Sequence, residues 1–189
     1  MTSPRAAWLA VALVITGCER DARAPAPPGD HAQPVQSSSP MITADALRTW
    51  SEQLCTQPAL DFDAAIQALG LSGALVKKSS DYAVLEPPPP GTTRVGLSRE
   101  NLGKNKGYLG MIELELATKL PRAELDHRFG AGNVLPIADV GRGTEISYEV
   151  TVPGAPYRCT VFANFDDATG PSSLAGKIRL RRAVVRTPQ

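Results

Sequence analysis

Four carboxylates, one histidine and three evenly spaced cations are the side chains of this chain best placed to do chemistry. Glu113 and Glu115 alternate with Ile112, Leu114 and Leu116, so both project from one side of an extended segment. Glu145 and Glu149 share a face of a later segment in the same way. Two carboxylates held close together can divide acid and base work between them. The simpler reading is alternating charge on the wet side of a sheet. His127 falls in a helical stretch over 121–129 in which Leu125 and Phe129 are the apolar pair. A 100° step puts it on the opposite, solvated side, with Glu124 one turn back and no nucleophile in reach. Lys177, Arg179 and Arg181 alternate with Ile178 and Leu180 on one strand face. They are read as cross-strand partners for an acidic neighbour, as guards on an exposed edge, or as a ridge recognising an acidic partner. Phe162 alternates out of register with Cys159, Val161, Ala163 and Phe165, which makes it an exposed aromatic and a candidate contact residue.

The motifs that would turn such groups into a known active site are missing. No G-x-S-x-G elbow supplies a nucleophile. Gly141-Arg142-Gly143-Thr144 lacks the span and the following lysine of a phosphate loop, and is read as a turn entering a strand. Neither HExxH nor CxxC occurs, so no metal or cofactor is expected. Twenty basic and 19 acidic side chains leave a formal charge of +1, too little to steer a polyanion, and nucleic acid is not an expected partner. The 189 residues hold no apolar run of the roughly 20 that a spanning helix requires, which excludes a polytopic membrane protein.

The first 18 residues, MTSPRAAWLAVALVITGC, carry one cation at Arg5, an apolar stretch from Ala6 to Ile15, then small residues before Cys18. This is the layout of a secretory signal, with an apolar part too short to remain as a span. Ile15-Thr16-Gly17-Cys18 resembles the lipobox of bacterial lipoproteins. The resemblance implies diacylglyceryl transfer to Cys18 Sγ, cleavage after Gly17, and acylation of the new amino group. Residues 1–17 are then the signal peptide, and the membrane becomes a partner through the lipid on Cys18. Each buried methylene contributes about 0.8 kcal/mol, so three chains anchor durably where one would not. Glu19 follows the cysteine in place of the aspartate associated with inner-membrane retention, which points to the outer membrane, periplasmic side, with the inner membrane as the alternative.

Residues 18–40 continue as a tether. Five prolines and Ser37-Ser38-Ser39 with almost nothing aliphatic cannot bury enough surface to offset the entropy of ordering. At about 3.1 Å per residue such a segment reaches roughly 70 Å. His31 lies in it and is read as solvated. With Cys18 consumed by lipid, Cys55 and Cys159 remain as an even pair in an oxidising compartment and are expected to bond. The bridge would close a loop of just over 100 residues, worth about 4.7 kcal/mol in the chain-entropy description. Two buried free thiols are the alternative; a zinc site lacks ligand spacing.

Residues 41–189 are read as one α+β domain: two N-terminal helices, then an antiparallel sheet interrupted by one further helix. Thr43 caps a helix from Ala44, with Asp45 in its first turn and Ile42 against Leu47 as a staple. Leu47, Trp50 and Leu54 mark its buried face, and Pro58 ends it. A second helix spans about 61–69 with Phe62, Ile66 and Leu69 on one side and Gly70 as its stop. Strands follow at 82–85, 92–98 and 108–117, the last two as a long-looped hairpin. Pro121 opens the third helix at its first position and Gly130 closes it. Strands near 144–152, 157–165 and 175–185 complete the set, with no fixed-period repeat.

The stretch from Pro121 to Val150, a short helix ending at Phe129-Gly130 followed by the strand Glu145-Ile146-Ser147-Tyr148-Glu149, resembles small envelope lipoproteins of the SmpA/OmlA and beta-lactamase-inhibitor-like type. That resemblance covers about 30 residues and implies helices before an antiparallel sheet and work done by binding other proteins. The expected function is therefore a noncatalytic protein-binding lipoprotein, an inhibitor, immunity protein or assembly accessory. The alternative is a cell-wall or lipid-directed hydrolase using dispersed carboxylates such as Glu113 and Glu145.

Overall fold

The computed structural model describes residues 41–101, 106–135, 143–166 and 170–184. All of these residues belong to one compact unit. The expected signal peptide, Cys18 and the expected tether lie outside the described residues.

The first helix, α1, runs Ala44–Thr56, and the Thr43 hydroxyl accepts the Ala46 N–H at 3.2 Å. Ile42 and Leu47 are both buried at its start. Helix α2, Phe62–Leu69, is capped by Asp61, whose carboxylate accepts the Ala64 N–H at 2.8 Å. It closes on Gly70, whose left-handed φ of 63° suits a residue with no Cβ.

Eight strands follow: β1 Ala74–Lys77, β2 Tyr82–Glu86, β3 Thr92–Arg99 and β4 Leu109–Pro121, then β5 Asn133–Leu135, β6 Thr144–Val150, β7 Tyr157–Phe165 and β8 Leu174–Val184. Helix α3, Arg122–Phe129, separates the two sets of four. All eight form one antiparallel sheet in the order β1-β2-β3-β4-β8-β7-β6-β5. The first half is thus two helices and the second one helix, each followed by a four-stranded meander, and the halves join at their last strands, β4 and β8. The chain carries this duplication of topology without a repeat in its residues. Strands β1 and β5 were not expected from the sequence.

The register defines two faces. Ala83 and Leu85, Val95 and Leu97, Ile112 and Leu114, Ile178 and Leu180, Val161 and Ala163, and Ile146 and Tyr148 point inward and join Leu47, Leu54, Phe62 and Leu125 in one core. Helix α1 lies against β6, β7 and β8 on this side, and α3 against β4 and β6. Each fully buried leucine or isoleucine contributes about 1.5–3 kcal/mol. Cys55, near the end of α1, meets Cys159 on β7 as a disulfide pair, with Cα atoms 5.7 Å apart and the two positions 104 apart in the chain.

One expectation needs correction, and one of the alternatives weighed for the cationic strand falls. Pro121 is the cap and not the first residue of α3: β4 runs through it, with Pro121 opposite Leu174 of β8, and the helix starts at Arg122. Continued pairing with β8 holds Pro121 extended, at φ −64° and ψ 141°. The strand bearing Lys177, Arg179 and Arg181 is not an edge. It sits between β4 and β7, so its cations face neighbours on both sides. The edges are instead β1 and β5, of four and three residues. Such short edge strands offer little template for another chain.

Candidate functional site

Among the described residues no helix packs on the outward face of the sheet, and the candidate side chains gather there. One row of register partners crosses all eight strands: Val76, Val84, Gly96, Glu113, Arg179, Phe162, Ser147 and Asn133. Position along the chain gives no hint of this row, because strands from both halves contribute to it.

At its centre the charges are matched. Lys177 Nζ lies 3.0 Å from a Glu113 oxygen, reaching diagonally past its direct partner Glu115. Arg179 bonds Glu145 from two strands away, across β7. Its guanidinium also lies 5.3 Å from the centre of the Phe162 ring. Phe162 is therefore half-buried under Arg179, and the expectation of a freely exposed ring is corrected. The arginine is 34% exposed and Glu145 15%, so this pair is screened less than an ordinary surface contact. On the β3 side, Arg94 lies 3.5 Å from Glu115 and donates to the Tyr82 hydroxyl at 2.9 Å. Tyr82 rests over Gly96, where a Cβ would fall 2.6 Å from its hydroxyl.

The free charges lie toward one end of the face. Arg181, Arg158 and Glu149 are exposed around Thr160 and have no ion pair among the described residues. Arg158 and Glu149 share the outward side with Arg181 by alternation. Of the three cations singled out in the sequence, Lys177 is paired with a neighbouring strand and Arg179 with one two strands away, while Arg181 has no ion pair among the described residues.

Glu113 and Glu145, on β4 and β6, are not brought together as a pair. Glu113 is held by Lys177 and Glu145 by Arg179, with β8 and β7 between β4 and β6. His127 is exposed on α3. No group of three histidine, cysteine or acidic side chains that could hold a metal occurs among the described residues.

The helical side holds two groups with displaced proton affinity, Tyr148 and Arg182. Tyr148 donates to Asp126 at 2.9 Å, and Asp126 also pairs with Arg122 at 3.2 Å. Burial, then the neighbouring carboxylate, pushes the Tyr148 hydroxyl well above the ordinary phenol range. Phe129 packs against Tyr148 with ring centres 5.7 Å apart, and Arg128 reaches Asp45 at 2.7 Å, which ties α3 to α1. Arg182, 3% exposed, was missed in the sequence. The signal is a cation at an inward position of β8, two residues beyond Leu180. Burial draws its proton affinity down, and polar interaction with the Tyr157 side chain beside it partly offsets that.

No described helix is long and apolar enough to cross a membrane. Comparison with protein-family models, with characterised proteins and with solved structures yields no match for this chain.

Proposed function

We propose that this chain is an envelope lipoprotein, anchored through lipid on Cys18, that binds another protein on the outward face of its sheet. The observation that carries the reading is the set of fixed charge pairs on an uncovered sheet face, Glu113 with Lys177 and Arg179 with Glu145 over Phe162. Groups already held in one geometry lose little entropy when a partner arrives, which favours association. Arginine and aromatic side chains are also those enriched where binding energy concentrates. The lipobox-like residues 15–18 and the proline-rich stretch after them support an anchor and a tether that hold residues 41–189 off an outer-membrane surface in the periplasm.

The test is capture of partners from the native envelope by the full chain and by three variants. Phe162→Ala and Arg179→Glu should lose the captured protein, while His127→Ala, on the helical side, keeps it. Recovery of a secreted hydrolase assigns an inhibitor or immunity role, and recovery of outer-membrane machinery an assembly role. Equal capture by all variants contradicts the reading. So does hydrolysis of cell-wall or lipid material by the purified chain that disappears in Glu113→Gln or Glu145→Gln.

A further inference from the structure

Arg182 occupies an unusual place for an arginine. It is the register partner of Cys159, side by side with it on the inward face of the sheet. Its guanidinium donates to Leu54 O at 3.4 Å and to Pro58 O at 3.1 Å, and lies 3.9 Å from the centre of the Tyr157 ring. Leu54 and Pro58 flank Cys55. Helix α1 has no basic residue in its last turn, and its final carbonyls have no intrahelical donors. A buried cation supplied from β8 gives one of them, Leu54 O, a donor, binds Pro58 O just beyond the helix, and complements the negative end of the helix dipole. An arginine keeps its charge even when buried, so these contacts are strong and directional.

We infer that Arg182 is the positioning residue for the disulfide: it holds the end of α1 so that the Cys55 thiol lies beside Cys159 before any bond exists. The pair then closes by thiol–disulfide exchange with an external disulfide oxidant of the glutathione type. One cysteine thiolate attacks the oxidant, forms a mixed disulfide and releases one oxidant thiolate. The second cysteine thiolate displaces the other oxidant thiol. The protein's two thiols lose two protons and two electrons, and the oxidant disulfide is reduced to two thiols. On this account α1 docks first and oxidation follows, so the bridge locks a contact that arginine has already made.

The experiment uses the full chain carrying Cys18→Ser, which leaves Cys55 and Cys159 as the only thiols. The reduced protein is equilibrated in mixtures of reduced and oxidised glutathione, and the bonded fraction is read by thiol alkylation and mass spectrometry. This gives the effective concentration of the pair. Arg182→Met keeps the aliphatic stem and should lower that value roughly tenfold or more, with Arg182→Lys in between. Leu97→Ala, a core truncation on β3 far from the cysteines in the strand order, should leave it unchanged while the protein remains folded. Circular dichroism of each reduced variant establishes that it is folded, and if Arg182→Met does not fold when reduced, Arg182→Lys carries the test. An unchanged effective concentration in a folded Arg182 variant overturns the inference. So does an equal fall in Leu97→Ala, which would make the effect one of general stability.

Discussion

Arg179 on β8 and Phe162 on β7 are register partners, and the guanidinium lies 5.3 Å from the centre of the ring while it also bonds Glu145 on the next strand. One side chain thus ties three strands of the sheet together on its outward face. Removing it uncovers an aromatic ring and leaves a mostly buried carboxylate alone. Arg179→Met should cost about 1 kcal/mol in urea unfolding, the sum of a partly screened ion pair and a cation–π contact. Glu145→Gln should cost less, because the amide still accepts a hydrogen bond. A larger loss in Glu145→Gln than in Arg179→Met would show that the carboxylate has another role.

Gly96 and Tyr82 form a second coupled pair on the same face. The Cβ of Gly96→Ala would fall 2.6 Å from the Tyr82 hydroxyl, so the ring must swing away and give up its bond with Arg94. A loss of about 1–2 kcal/mol is expected for Gly96→Ala in the natural chain. In a Tyr82→Ser background the same change should be close to neutral. A double-mutant cycle measures this coupling, and additivity of the two changes would mean that the ring yields without cost.

Caps set the starts of α1 and α2. Thr43→Ala and Asp61→Ala each remove an acceptor for an N–H in the first turn and should cost about 1 kcal/mol, read by urea unfolding. Replacing Thr43 by Ser should restore the first.

Alkaline pH offers a test of the Tyr148–Asp126 bond. The folded protein holds the Tyr148 proton more tightly than the unfolded chain does, because burial and Asp126 oppose the phenolate. The contribution is therefore complete below the unfolded tyrosine value of about 10 and is lost as pH rises above it. Between pH 8 and 11 the natural protein should lose more unfolding free energy than Tyr148→Phe does. Parallel curves would place the titrating group elsewhere.

What could be read from the residues was whatever is encoded locally. Thr43, Asp45 and the spacing of Leu47 and Leu54 mark α1 because cap, dipole and apolar stripe agree over one segment. Strand β4 announces itself through strict alternation from Met111 to Leu116. Strands β1 and β5 were not legible: Ala74–Lys77 has three adjacent apolar residues and no alternation, and Asn133–Leu135 is too short to show a period. Both exist because β2 and β6 offer them hydrogen bonds. The site divided in the same way. That Lys177, Arg179 and Arg181 share a face follows from alternation, whereas the pairing of the first two depends on β8 lying between β4 and β7. That contact joins chain segments more than 60 residues apart, from Glu113 to Lys177.

Compartment, oxidised cysteines and the class of partner all rest on the chemistry at Cys18, so the most direct measurement is intact mass with N-terminal sequencing of protein purified from its native envelope. The account predicts a chain that begins at Cys18 and carries a diacylglyceryl thioether and an acylated amino group. A chain that begins at Met1, or a processed one with no lipid, would contradict it.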